Sequence, residues 1–402
     1  MKDAYIVTSV RTPGCRRGKG ALAQTRPEDL LKTALNGLME RTPNIEKKDV
    51  EDIMLGCAFP EAEQGLNLGR VIAQMAGFPD ATTGATVNRF CSSGLESIAI
   101  SAMRIMSGWS DVAIGAGCES MSIVPMGGNL PRPHSAWAKE NPAVYTSMGI
   151  TAENVANRYN ITREMQDEFA FHSQMKAVAA QKNGRYKEII PTPADRYVQK
   201  NGTWVKEVFI QDFDDGVRES TTMEGLAKLR PAFAATGSVT AGNSSQTTDG
   251  AAATLLMSEE ALKKFDVKPI AKLKCYTVAG VRADEMGVGP AYAIPKVLEL
   301  AGMKKEDIDL WEVNEAFASQ AIYCLQQLGF YEKREMWSCE SDERTINVNG
   351  GAIALGHPLG CTGSKLCAQI INEMQLRNAK YAVESMCIGG GMGAAAIFEL
   401  CD

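Results

Sequence analysis

Long apolar runs are missing from this 402-residue chain. No stretch reaches the roughly 18 consecutive apolar residues of a membrane-crossing helix, so no span is expected. A basic face is missing as well: the net charge is −6 and the pI near 5.4, which argues against a nucleic-acid partner. Histidine is scarce, with only His134, His172 and His357, so histidine chemistry has few candidates. The eleven cysteines are odd in number and none forms a C-x-x-C pair. That pattern speaks against a disulfide frame or a metal site and for free thiols in a reducing compartment. No charged segment, apolar stretch and cleavage site precede the strand-like Ala4–Thr8, so secretion is not expected and a cytoplasmic location is.

What is present is glycine, 37 residues of it, in an ordinary composition of 45% hydrophobic and 22% charged residues. The length suits two to three domains. Strand-like and helix-like segments alternate, which indicates an α/β layered architecture. A helix from Pro27 carries Leu30, Leu31, Ala34, Leu35 and Leu38 at helical spacing, and another is expected over Asn67–Met75. A strand is expected over Asp111–Ile114, ending in Gly115-Ala-Gly117. From about Met121 prolines and glycines mark a loop, helices follow over roughly 151–181, and a β-prone region of mixed polarity runs to about Arg230. Alternation resumes after Thr248. The expected division is an α/β half formed by residues 1–120 and 248–269, an inserted loop domain over 121–247, and a second α/β half over 270–402.

The tail of the chain repeats the plan of its head. Asp307–Trp311 after Lys304-Lys305 mirrors Asp49–Ile53 after Lys47-Lys48, each preceded by a helix that begins near a proline. Cys361-Thr-Gly363 opens a helix with Leu366, Cys367, Ile370, Ile371 and Met374 at helical spacing, matching the turn and helix after Cys91. The spacing from Cys91 to Gly117 equals that from Cys361 to Cys387.

Cys91 stands in Asn-Arg-Phe-Cys-Ser-Ser-Gly (88–94), at the mouth of a helix whose Leu95, Ile98, Ala99, Ala102, Met103 and Met106 form an apolar face. A helix mouth offers unpaired N–H groups and the positive end of a dipole, which favour the thiolate. An inert buried cysteine fits the same surroundings. Around a pseudo-twofold axis the Cys91 turn would meet three more loops: Asn314-Glu-Ala-Phe317, Gly356-His-Pro358 and Cys387-Ile-Gly389. His357, held among five glycines and kept out of helical geometry by Pro358, suits a base or an oxyanion donor, or only a hydrogen bond to its own loop. Asn314 suits a held water or carbonyl, or a turn. Cys387 precedes bare N–H groups that suit an oxyanion, or is a small buried hydrophobe. The glycines at 389–391 are no dinucleotide fingerprint, because a strand rather than a helix follows them.

Four long motifs in this order resemble the thiolases: N-R-F-C-S-S-G-L from Asn88, V-N-E-A-F-A from Val313, G-G-A-I-A-L-G-H-P-L-G-C-T-G from Gly350 and C-I-G-G-G-M-G from Cys387. S-V-T-A-G-N-S-S from Ser238 and D-G-A-A-A from Asp249 resemble that family too. The resemblance runs from the first strand to the last residues. It implies an α/β fold of two topologically similar halves in five layers (αβαβα) with an inserted loop domain. It implies Cys91 as the acyl-accepting nucleophile, and His357, with a water held by Asn314, as activator and first oxyanion hole. Cys387 would move the α-carbon proton of acetyl-CoA, and the N–H groups of Cys91 and Gly389 would form a second oxyanion hole.

No permanent cofactor and no metal are implied; coenzyme A and acyl-CoA are the substrates. CoA contacts map by the resemblance onto Arg218, Phe233, Ala241, Ser245, Ala316 and Phe317, with Met148 and Met286 near the acyl end. Lys228, beside Arg218 and Arg230, offers positive charge for phosphates. Ser147 stands where biosynthetic thiolases usually carry histidine, and Arg89-Phe90, Ser92 and Cys361-Thr362 look like the degradative branch. The resemblance therefore implies thiolytic cleavage of 3-ketoacyl-CoA, with acetoacetyl-CoA synthesis as the alternative. A homodimer or homotetramer is expected, with a β-oxidation dehydrogenase or hydratase as a possible partner.

Overall fold

The alternation of strands and helices builds two half-molecules on one plan, seen in a computed structural model that describes residues 2–401. Residues 1 and 402, which bound the two halves read from the sequence, lie outside the described residues. The strands are β1 (Tyr5–Arg11), β2 (Cys15–Arg16), β3 (Asp52–Gly56), β4 (Thr83–Val87), β5 (Val112–Ser120), β6 (Thr192–Lys200), β7 (Thr203–Gln211), β8 (Thr248–Met257), β9 (Ala271–Gly280), β10 (Leu310–Val313), β11 (Tyr381–Ile388) and β12 (Met392–Leu400). The helices are α1 (Pro27–Glu40), α2 (Leu68–Met75), α3 (Ser93–Met106), α4 (Ser135–Glu140), α5 (Met148–Arg158), α6 (Arg163–Lys182), α7 (Met223–Ala227), α8 (Glu259–Phe265), α9 (Gly289–Ala301), α10 (Ala318–Leu328), α11 (Ala352–Leu355) and α12 (Thr362–Arg377).

The strand path is β4-β3-β5-β8-β1 in the first half and β9-β12-β11-β10 in the second. The two runs join where Tyr5 and Ile6 of β1 pair antiparallel with Lys272 and Ala271 of β9. The place of β4 is taken in the second half by a single parallel bridge between Trp311 and Ile346. Strand alternation sorts the side chains into layers. On β5, Val112, Ile114, Ala116 and Cys118 join the core under α1 and α2, while Ala113 joins the core around α3 and α12. On β12, Ala395 and Ile397 join the core under α9 and α10, while Ala394, Ala396 and Phe398 face the same α3–α12 layer. Helices, sheet, helices, sheet and helices therefore stack in five layers. The central pair α3 and α12 packs its apolar side chains into this shared layer between the sheets. Met103 is the exception: it stands on the apolar face by spacing, yet is 50% exposed.

The internal repeat extends to single interactions. Lys47 Nζ donates to Ala76 O at the end of α2 and lies over the Phe78 ring, 5.6 Å from its centroid. Lys305 Nζ donates to Leu328 O at the end of α10 (2.6 Å) and lies over Phe330 at 5.5 Å. Each lysine neutralises the negative end of a helix and covers an aromatic face.

One expectation is corrected. The strand that was to end at Gly115-Ala-Gly117 runs on to Ser120. The glycines do not turn the chain; they admit neighbours. A methyl at Gly115 would stand 2.6 Å from Ile98 Cα of α3, and one at Gly117 2.6 Å from Gly360 O.

The region between β5 and β8 holds a short helix (α4) where sequence suggested only loop, then α5, α6 and the β6–β7 hairpin. Val155, Phe169 and Ala170 bury its helices against the outer layer of the second half. Arg11, fully buried at the end of β1, ties the region down through Glu188 (2.9 Å) and both oxygens of Asp214 (2.6 and 2.9 Å). Among the described residues no helix is long and apolar enough to cross a membrane.

Candidate active site

Cys91 is set in a short, strained turn between β4 and α3. Phe90 adopts a positive φ of 44°, unusual for a residue with a side chain and costing about 1 kcal/mol or more. Flanking side chains hold it there. Asn88 Oδ1 accepts from Phe90 N (2.8 Å), and Ser93 Oγ donates to Phe90 O (2.7 Å) while accepting from Arg89 N (2.9 Å). The sulfur that this turn presents is almost closed off, with Cys91 5% exposed.

The backbone N–H groups of Cys91 itself and of Gly389 point at the sulfur and favour its charged form. Burial nevertheless outweighs them and pushes the thiol up to about 11. The helix mouth therefore favours the thiolate, as its N–H groups suggest, but desolvation is the larger effect. Cys387, at the end of β11, is fully buried and lies well above the usual thiol range, through burial first and the neighbouring Cys91 second.

His357 is buried and held by its backbone: His357 N donates to Gln246 O (2.9 Å), and the residue bridges Thr247 in parallel. Its ring Nδ1 lies 2.5 Å from Thr362 Oγ1, and its Nε2 lies 3.5 Å from Asn314 Nδ2. Burial, followed by the charge of Lys365, lowers the ring to about 3, so the imidazole is neutral. Asn314 N donates to Ser385 O (2.9 Å), which locks the asparagine to β11. Its Oδ1 is buried and meets no hydrogen-bond partner among the described residues. A buried polar atom of this kind suits a bridging water or a substrate group.

The structure brings the four loops together as the repeat implied. Cys91, His357, Ala316 and Phe317 line one cavity of about 150 Å³, with Met148, Phe233, Ser245 and Met286 among its other walls. Cys387 packs with Met286, Ala316 and Phe317 just behind it. Phe233 lies edge-on to Phe317, ring centroids 5.9 Å apart, and is 42% exposed at the mouth. Arg218, Lys228 and Ala241 are exposed and do not line this cavity.

Sequence reasoning missed several contributors. Met121, Met126 and Leu359 add apolar wall. The extended run 244–247 threads between two site loops, pairing Ser244 with Phe317 and Thr247 with His357. Thr362 was read only as a mark of branch, and Glu119 was not read at all. The Pro-Gly setting of Met126 was a visible signal; the hydroxyl and carboxylate contacts had none.

Fold and site together define a two-fold α/β scaffold that carries a cysteine–histidine centre at the mouth of its central helix. Two family models match in succession: "Thiolase, N-terminal domain" over residues 4–260 and "Thiolase, C-terminal domain" over residues 267–400. The chain belongs to the thiolase family. It is 48% identical over 403 residues to the 3-ketoacyl-CoA thiolase of Bacillus subtilis, covering 100% of both chains. It is 42% identical over 401 residues to the peroxisomal 3-ketoacyl-CoA thiolase A of Mus musculus, covering 99% of this chain and 91% of that one. Among solved structures, the acetyl-CoA acetyltransferase of Bacillus anthracis superposes with a TM-score of 0.86 at 36% identity, covering 100% of this chain and 99% of that one. Human mitochondrial 3-ketoacyl-CoA thiolase superposes with a TM-score of 0.85 at 34% identity, with the same coverage.

Proposed function

We propose that this protein is a 3-ketoacyl-CoA thiolase, an acyltransferase that cleaves 3-ketoacyl-CoA with CoA to acetyl-CoA and a shortened acyl-CoA. The observation that carries the reading is the convergence on one sulfur: the N–H groups of Cys91 and Gly389 point at it, with His357 and Ala316 on the same cavity and Cys387 behind.

In this reading the resting pair is a neutral thiol and a neutral imidazole, since Cys91 stands near 11 and His357 near 3. Proton transfer to His357 Nε2 accompanies attack instead of preceding it. The Cys91 sulfur bonds to C3 of the substrate, whose oxygen becomes negative on the N–H groups of Cys91 and Gly389. The C2–C3 bond then breaks, its electron pair passes to C2, and Cys387 delivers a proton there, releasing acetyl-CoA. The acyl group remains on Cys91. CoA enters, Cys387 takes the proton of its thiol, and the CoA sulfur displaces Cys91 from the acyl group, the leaving Cys91 sulfur taking its proton back from His357 Nε2. A thiolate is both a strong nucleophile and a good leaving group, which serves both halves. The thioester oxygen of the departing acetyl-CoA enolate sits beside His357 and a water held by Asn314.

The inserted region 121–247 would carry CoA, with Arg218, Lys228 and Arg230 exposed for its phosphates and Phe233 and Ser245 at the tunnel. No permanent cofactor takes part; the protein works in the cytoplasm as a homodimer or homotetramer, with a β-oxidation dehydrogenase or hydratase as a candidate partner. Likeness to an acetyl-CoA acetyltransferase keeps acetoacetyl-CoA synthesis as the second reading. A thiolysis series over short and long 3-ketoacyl-CoA, run beside Cys91→Ala, separates the two. Turnover of several chain lengths that vanishes in the variant supports cleavage; turnover of acetoacetyl-CoA alone supports synthesis.

A further inference from the structure

Glu119, near the end of β5, is fully buried and spends its carboxylate on three other segments. Oε2 accepts from Ala58 N (2.8 Å) and Gly360 N (2.9 Å), and Oε1 from Gln64 Nε2 (2.7 Å). Gln64 is itself fixed, its Oε1 accepting from Ser120 N at 2.6 Å. Gly360 belongs to the turn that carries His357. Ala58 leads to the nucleophile: Ala58 O accepts from Asn88 Nδ2 (2.9 Å), and Asn88 Oδ1 accepts from Phe90 N (2.8 Å), one residue before Cys91. One carboxylate oxygen thus bonds to the base turn directly and to the nucleophile turn through two links.

The repeat explains the position. Glu119 precedes Gly389 by the same spacing that separates Cys91 from Cys361, so it fills the place equivalent to the glycine whose N–H points at Cys91. In the first half this place is plugged by a carboxylate instead of being left open for substrate. The plug leaves no room for a side chain at Gly360, where a methyl would stand 2.5 Å from Ala58 N and 2.7 Å from Glu119 Oε2.

We propose that Glu119 is a positioning residue for the reaction: it fixes the Cys91 turn against the His357 turn. This rests on the reading of Cys91 as nucleophile and His357 as base. Geometry comes first, since displacement of reacting groups by about 1 Å costs on the order of 100-fold in rate. The charge acts in the same place, for Glu119 is the one side-chain charge among the causes that raise the Cys91 thiol.

Glu119→Gln tests it, because the amide keeps the shape but loses the charge and one of the two accepting oxygens. Thiolysis of acetoacetyl-CoA should show kcat reduced about 10- to 100-fold with KM within about threefold. Alkylation of Cys91 by iodoacetamide, followed by intact mass, should shift its pH dependence toward lower pH. Asn88→Ala breaks the relay while leaving the carboxylate, and should lower kcat without shifting that profile. It also serves if Glu119→Gln does not fold. Wild-type kcat in either variant, or an unshifted alkylation profile in Glu119→Gln, overturns the proposal. A wild-type protein without thiolysis, in which Glu119→Gln still shifts alkylation, would overturn the thiolase reading and keep Glu119 as the residue that sets the thiol.

Discussion

Thr362 Oγ1 reaches both the His357 ring and the carbonyl of Pro358, the residue that follows the histidine. The threonine hydroxyl has one hydrogen and donates it to Pro358 O at 3.1 Å. With that hydrogen donated to Pro358 O, its oxygen, 2.5 Å from His357 Nδ1, accepts from the ring, an arrangement that assigns the ring proton to Nδ1. Nε2, facing Asn314, is then the bare and basic nitrogen.

Thr362→Val should therefore remove the acceptor and free the ring to turn or change tautomer. A buried N–H left without a partner costs about 1–3 kcal/mol, so kcat is expected to fall about 10- to 100-fold. Thr362→Ser, which keeps the hydroxyl, should recover most of the rate. Steady-state thiolysis of both variants checks this. Equal activity of the valine and serine variants would show that the hydroxyl has no part in orienting the ring.

The resting state of the nucleophile is measurable without substrate. With the thiol near 11 and the thiolate the reactive form, alkylation of Cys91 should accelerate about tenfold per pH unit from pH 6 to 9, without levelling off. His357, near 3, should leave no inflection between pH 5 and 7. A plateau at neutral pH would mean that a pre-formed thiolate–imidazolium pair exists and that the N–H groups outweigh burial.

Much of this site was legible because the residues that carry it sit in motif-bearing loops at equivalent strand ends. Cys91, His357, Asn314 and Cys387 stood out there, and the spacing of the repeat placed their loops together. The repeat also aligned the lysine pairs at 47–48 and 304–305, but what Lys47 and Lys305 touch showed only in the fold. What escaped was long-range: Glu119 reaches Gly360 across 241 positions, and no local pattern announces such a bond. Gly115 and Gly117 misled because a glycine that admits a neighbouring helix looks, in sequence, like one that turns the chain. The balance at Cys91 was not legible, because a dipole can be read from a motif, whereas depth of burial emerges only from the stacked layers.

Gly389 separates chemistry from stability. Its backbone does not need glycine, and an added methyl would meet only Met148 Sδ and the Phe90 ring at 3.6 Å, ordinary contact distances. Gly389→Ala should leave the melting temperature within a few degrees, since strain-free substitutions cost little. The methyl would nonetheless lie between Met148, a wall of the cavity, and the turn that presents Cys91. Acyl transfer should slow, most for the bulkiest acyl groups, which single-turnover acylation of Cys91 would measure. A large drop in melting temperature with unchanged acylation would reverse the assignment and make Gly389 a structural glycine.

Asp249, in β8, offers a test by pH. Its carboxylate accepts from Ser122 N (2.8 Å), Ser122 Oγ (2.5 Å) and Ser120 Oγ (3.3 Å), yet burial raises it from 3.8 to about 6. The folded protein holds this proton more tightly than the unfolded chain does. The resulting contribution to stability is therefore fully present below pH 3.8 and is lost as the pH climbs through about 6. The shift corresponds to about 3 kcal/mol at most. Asp249→Asn removes the titration but keeps an oxygen that can accept from Ser122 N. Melting curves at pH 4.5 and pH 7 should show the wild type losing ground to the variant as pH rises, whatever their order at either end. Other carboxylates titrate equally in both proteins and cancel in the difference. Curves that stay parallel from pH 4.5 to 7 would mean that the three donors, and not burial, govern Asp249.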